Sequence, residues 1–159
     1  MIKDLLLNFI KDYKIKLTEN QYEQFQKYFE LLVEWNEKMN LTAITDESGV
    51  ALKHFADSLS LLNFVDIPQN STLADVGTGA GFPGVVLKIA RPDIKLTLID
   101  SLNKRLVFLN EVCSQLGIDA ELIHSRAEDG ARDEKLRESF DFVASRAVAR
   151  MNVLSEYCL

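Results

Sequence analysis

From Thr18 to Met39 apolar side chains return every three or four positions, at Tyr22, Phe25, Phe29, Leu32, Val33 and Met39, with Glu19, Glu23, Glu30 and Glu37 between them. A stripe of that period is one face of a long amphipathic helix. Thr18 and Gln21 stand at capping-box spacing, where hydroxyl and amide satisfy N–H groups that a first helical turn leaves open. A turn at Asn40–Thr42 comes next, and a helical rhythm resumes through His54, Leu59, Leu62 and Phe64. Residues 1–66 therefore read as a helical region, either a cap packed on the remainder of the chain or a substrate-binding surface beside it.

The pattern changes after a break at Asp66–Asn70, which contains Pro68. Thr72–Val76, Lys95–Ile99, Ala120–His124 and Phe140–Ala144 are short apolar runs with the length of buried strands. Phe82–Arg91 and Leu102–Leu116 suit helices, and the polar stretch Glu128–Arg137 suits a helix and a loop. Strands alternating with helices predict an α/β fold with a parallel sheet covered on both faces, because parallel neighbours need crossover connections. The expected division is 1–66 for the helical region and 67–159 for the α/β domain. Only four strands are legible, and Leu159 falls within what should be the next helix. The sheet is thus expected to stop after its fourth strand, leaving that strand as an open edge.

Composition narrows the class. The chain has 159 residues, 47% apolar and 26% charged, enough to build a core and incompatible with collagen-like or disordered chains. Apolar runs such as Leu5–Leu7 are too short for a bilayer, and Lys3, Asp4 and Asn8 interrupt any signal-peptide pattern. Cys113 and Cys158 show no metal-ligand spacing, so a cytoplasmic protein without metal or membrane association is expected. The net charge of −6 is spread along the chain: residues 1–70 hold 7 basic against 11 acidic side chains, and residues 71–159 hold 11 against 13. No basic face announces nucleic acid. Charge alone favours an enzyme acting on small molecules.

The strongest chemical signal is Asp75-Val-Gly77-Thr-Gly79-Ala-Gly81-Phe82-Pro83-Gly84, between the first strand and the helix after it. Glycines there permit positive φ and close approach of a ligand to the backbone, at the strand end where open α/β sheets bind ligands. Two ligands compete. Gly79, Gly81 and Gly84 fit the dinucleotide fingerprint, with Asp100 placed as its ribose-binding acid. S-adenosylmethionine fits the same loop, and Asp75 favours it. A carboxylate there repels a diphosphate and suits the α-ammonium end of a sulfonium cofactor, a difference of roughly 4 kcal/mol per close charge pair at an effective dielectric of 20. Asp100, closing the second strand, is expected to accept from the ribose hydroxyls or to cap the next helix. Arg126-Ala127-Glu128 stands after the third strand, where the adenine edge would lie.

Together with Trp35-Asn36, Asn40-Leu41-Thr42, His54-Phe55-Ala56-Asp57-Ser58, Asp100-Ser-Leu-Asn-Lys-Arg105 and Ser145-Arg146-Ala147, the loop resembles the RsmG family, also called glucose-inhibited division protein B. Its members are bacterial methyltransferases acting on guanine N7 of 16S ribosomal RNA. The resemblance implies a Rossmann-like class I fold with S-adenosyl-L-methionine as cofactor, and 16S ribosomal RNA or the small ribosomal subunit as partner. It carries cofactor contacts to Gly77, Phe82, Ala127, Glu128 and Arg146; Asp75, Gly79 and Asp100 join them from the loop itself. Arg146 is also the candidate for orienting the guanine. His54 and Asp57, three apart, are expected on one helix face, lining the site or joined by a structural hydrogen bond. His124, Trp35 and Cys113 are expected to be packing residues. An NAD-dependent oxidoreductase and a non-catalytic truncated binding module are the competing readings.

Overall fold

The computed structural model describes residues 1–126, 140–147 and 150–155. The capping box forms as expected: Gln21 N donates to Thr18 Oγ1 and Thr18 N to Gln21 Oε1, opening helix α2 (Glu19–Asn36) behind the short α1 (Ile2–Phe9). The face that α2 buries is rotated slightly from the expected stripe. Tyr22, Phe25, Tyr28, Leu31 and Leu32 are buried, whereas Phe29 and Val33 are half-buried. A second helical run comes after it, made of α3 (Glu47–Gly49), a π-helical turn Val50–Ala56, α4 (Asp57–Leu59) and α5 (Leu61–Phe64).

Strands β1 (Thr72–Val76), β2 (Lys95–Asp100), β3 (Ala120–His124) and β4 (Phe142–Ala147) lie in the order β3-β2-β1-β4, all parallel, with α6 (Gly84–Ala90) and α7 (Asn103–Leu116) as crossovers. The central strands β1 and β2 are almost wholly buried, which accounts for their unbroken apolar runs. The order reverses between β1 and β4, so a crevice opens at the carboxyl end of β1, where doubly wound sheets hold ligands.

The expectation that the sheet ends at its fourth strand is corrected. A fifth strand, β5 (Arg150–Ser155), pairs antiparallel with β4, from Phe142 opposite Ser155 to Ala147 opposite Arg150. It fills the N–H and C=O groups of β4 that would otherwise face outward, and β4 is therefore an inner strand. A mixed apolar and polar run of six residues carries too few positions to separate the strand period from the helical one, which is why this segment reads as helix in sequence.

The helical region and the sheet share one buried cluster, in which Phe25, Tyr28 and Phe55 join Val85, Leu98 and Leu109. Polar contacts reinforce the packing. Gln21 Nε2 donates to the Ile89 carbonyl and Gln24 Nε2 to the Leu116 carbonyl, so α2 satisfies open acceptors at the carboxyl ends of α6 and α7.

Candidate functional site

The loop from Gly77 to Gly84 leaves β1 between the ends of two neighbouring strands. Gly77, Gly79 and Gly81 have φ of 68°, 59° and 102°, a region that side chains with a Cβ rarely enter. The glycines nevertheless differ in purpose. A Cβ on Gly81 would run into Tyr28 Oη and come within 2.8 Å of Val85 Cγ2, and one on Gly84 would lie 2.7 Å from Asp75 Oδ2. These two permit close packing. A Cβ on Gly77 or Gly79 would meet nothing within 4 Å, so these two face the open side of the crevice.

Two buried carboxylates hold the loop. Asp75 is 0% exposed, and its Oδ2 accepts from Thr78 Oγ1 at 2.7 Å and from Gly84 N at 2.8 Å. The sequence suggested that this group faces a ligand directly; the structure buries it under the loop, where it braces the turn. Asp100 is 1% exposed. Its Oδ2 accepts from Gly79 N at 2.8 Å, and its Oδ1 from Leu102 N at 2.9 Å and Arg105 Nη1 at 3.4 Å. Asp100 is not the N-cap of α7, which is Leu102 without a side-chain cap; one of its oxygens holds the chain just before that helix, and the other holds the loop.

Amide donors around the loop are largely committed. Gly77 N and Thr78 N donate to the Ile99 carbonyl, Gly81 N and Phe82 N to the Thr78 carbonyl, and Val85 N to the Gly81 carbonyl. Gly79 N and Gly84 N serve the two aspartates, and Pro83, directly before α6, has no N–H. A dinucleotide site instead points free N–H groups of the first helical turn at a diphosphate. The oxidoreductase reading finds no support in this loop.

The helical region meets the loop through aromatic rings. Phe82 is 4% exposed and lies against Tyr28 and Phe55, with ring centroids 5.6 and 6.2 Å away. The His54 ring stacks on it at 4.3 Å and 7°. Because the Phe82 side chain is turned into this cluster, its main chain is the part of the residue nearest the loop's ligand side. His54 and Asp57 do not share a face: the segment carrying His54 winds as a π-helix, so His54 is buried while Asp57 is exposed. His124 is likewise no packing residue. It is exposed, with Nε2 2.8 Å from the Ser101 carbonyl. Trp35 packs on Phe108 and Cys113 is buried, where desolvation pushes its thiol up to about 11.

Arg146 belongs to β4 itself and not to the segment after it, paired with Met151. Ala127 and Glu128 lie outside the described residues. Tyr28, Thr78 and Phe55 are contributors that sequence reasoning missed. Tyr28 is an off-stripe aromatic, and Thr78 carries a hydroxyl three residues from a buried acid, the only signal that pointed to it.

Comparison with known proteins adds the family. The model of the family GidB, rRNA small subunit methyltransferase G, matches residues 21–159. The chain belongs to this family. Among curated relatives, the ribosomal RNA small subunit methyltransferase G of Desulforamulus reducens is 55% identical over 94% of this chain and 62% of its own length. That of Staphylococcus aureus is 52% identical over 100% of this chain and 66% of its own. The chain thus spans somewhat less than two thirds of the length of these relatives. Among solved structures, one described as a protein-L-isoaspartate O-methyltransferase from Plasmodium falciparum, in complex with S-adenosyl-L-homocysteine, superposes with a TM-score of 0.54 at 16% identity, over 96% of this chain and 87% of that one. The fold is the Rossmann-like class I methyltransferase fold. Among the described residues no helix is long and apolar enough to cross a membrane.

Proposed function

We propose that this chain forms the S-adenosyl-L-methionine-binding part of a methyltransferase that modifies N7 of a guanine in 16S ribosomal RNA. The observation that carries the reading is the pairing of a glycine loop whose amides are already committed with two buried carboxylates at the ends of β1 and β2. Such a site suits a ligand with a cationic centre and hydroxyl donors, and it offers little to a diphosphate.

The residues fit the cofactor. Gly77 and Gly79 leave room for it against the backbone. In this reading Asp100 Oδ2, now accepting from Gly79 N, would accept from ribose hydroxyls, while Arg105 and Leu102 N keep its other oxygen in position. Asp75 acts on the cofactor's ammonium through the loop that it braces and the negative field it lends the strand end. Phe82 contributes main chain. Ala127 and Glu128 beside the adenine, and Arg146 toward the cofactor carboxylate or the guanine, rest on family resemblance; an arginine fork suits either acceptor. The cofactor supplies an electrophilic methyl group on a sulfonium centre. Guanine N7 has an in-plane lone pair and no proton, so the chain need provide no general base. Its task is to hold the reactants in line, a contribution of ~7–11 kcal/mol when orientation is good. The guanine must be unstacked or already lie in a loop. A location in the cytoplasm accords with a ribosomal substrate.

Calorimetric titration with S-adenosylhomocysteine and with NADH tests the site, and saturable binding of the first alone is expected. Binding of NADH alone would refute the assignment. Transfer of labelled methyl groups to unmodified small-subunit RNA, compared between this chain and a full-length relative, then tests the activity. Label with the relative alone would leave this chain a binding module.

A further inference from the structure

The glycine loop touches the helical region at one place where polar and aromatic contacts run in series. Asn36, the last residue of α2, accepts from Leu41 N at 2.7 Å and Thr42 N at 2.9 Å through Oδ1, closing the turn between the two helical runs. That turn delivers Thr42, whose Oγ1 accepts from Ile44 N at 3.1 Å and lies 2.8 Å from His54 Nε2. The main chain of the histidine is tied as well, since Ser58 Oγ donates to the His54 carbonyl at 2.6 Å. The ring, held through Nε2, lies flat on Phe82, 4.3 Å away and only 7° from parallel.

We propose that His54 is a positioning residue of the cofactor loop, with Thr42 setting the plane of its ring. The inference rests on the reading of the loop as a cofactor site. Phe82 and Pro83 join the open half of the loop, Gly77 and Gly79, to the start of α6. The Phe82 ring is carried by the main chain on which Gly81 N and Phe82 N bond back to the Thr78 carbonyl, so where the ring packs bears on how that turn sits. A ring whose plane is set through Nε2 gives Phe82 a fixed flat surface to stack on, where an aliphatic neighbour would fill the same volume and leave it free to tilt. Histidine at this place is explained by the restraint. Packing alone would be served by a second phenylalanine. The reacting groups are not touched, so the effect falls on the loop's readiness to bind.

The test uses the whole chain with Thr42→Val, Thr42→Ser, His54→Phe and His54→Ala. S-adenosylhomocysteine affinity is measured well below each variant's melting temperature, and the loop glycine amides are monitored in ¹H–¹⁵N spectra. Thr42→Val and His54→Phe should each weaken binding about tenfold, as the loss of one part-buried polar contact does, with Gly79 and Gly81 amides displaced. Thr42→Ser should bind within about twofold of the parent protein, since it keeps the hydroxyl. If His54→Ala fails to fold, Thr42→Val and His54→Phe decide. Parent-like affinity and unmoved glycine amides in these two would show that His54 only fills space and would overturn the proposal. Failure of the parent protein itself to bind would instead overturn the reading of the loop as a cofactor site.

Discussion

Tyr28 Oη donates to the Ala80 carbonyl at 2.5 Å, tying the middle of α2 to the glycine loop 52 residues further along the chain. Both groups are buried, so neither can exchange its partner for water. Removing the hydroxyl with Tyr28→Phe leaves the Ala80 carbonyl to be satisfied another way. We expect a loss of about 1–2 kcal/mol in urea unfolding, or a few degrees in melting temperature for a chain of this size. An unchanged midpoint would mean that the loop carbonyl finds a substitute at no cost.

Gly77 and Gly81 should respond to substitution in opposite ways. Gly81→Ala forces a methyl group against Tyr28 Oη and Val85 at a φ of 102°, and we expect at least about 2 kcal/mol of destabilisation. Gly77→Val meets open space, so its stability cost should stay near the ~1–2 kcal/mol of left-handed backbone strain while S-adenosylhomocysteine binding is lost. Unfolding curves measured beside calorimetric titrations separate the two. Normal affinity in Gly77→Val would make the loop a turn and nothing more.

Asp100 and Arg105 form a pair of unequal weight. Asp100→Asn removes the charge that Gly79 N, Leu102 N and Arg105 all address, and should cost roughly 1.5–3 kcal/mol of cofactor affinity. Arg105→Ala loses a 3.4 Å contact from a side chain that is 36% exposed, so at most about 1 kcal/mol is expected. Equal losses in a titration of both variants would show that the arginine does more than steady the carboxylate.

At the opposite end of the sheet, Asp93 accepts from Arg91 and from Asn70 N. The Arg91 guanidinium holds its carboxyl down at about 2, below the usual 3.8. A depressed carboxyl stabilises the fold above its unfolded value, and that contribution is lost as pH falls from about 4 toward about 2. The shift corresponds to ~2 kcal/mol at most, less the screening that a partly exposed pair allows. Asp93→Asn should therefore narrow the stability difference between pH 7 and pH 3 in urea titrations. Parallel pH dependences for the two proteins would assign the acid sensitivity to other carboxylates.

Much of this molecule is legible in one dimension. The capping box at Thr18 and Gln21, four strands from Thr72 to Ala147, the two crossover helices and the glycine loop all arise from local rules, because turn chemistry and hydrophobic period act over a few residues. Where local rules ran short, tertiary context decided. Strand β5 is stabilised by pairing with β4, a partner that no window of six residues can contain. His54 and Asp57 share a face by α-helical spacing and are separated by a π-helical turn.

The site divides in the same way. Which residues could carry chemistry was written in their order along the chain: glycines after a strand, and an acid at the end of each of two strands. What each one touches was not. That Asp75 lies beneath the loop, that Gly81 yields to Tyr28, and that His54 stacks on Phe82 depend on the packing of α2 and the π-helical turn against β1 and α6. Residue type and spacing report the conformations a short segment prefers. Burial and contact belong to pairs of segments far apart in sequence, and they exist only once the shared core has formed.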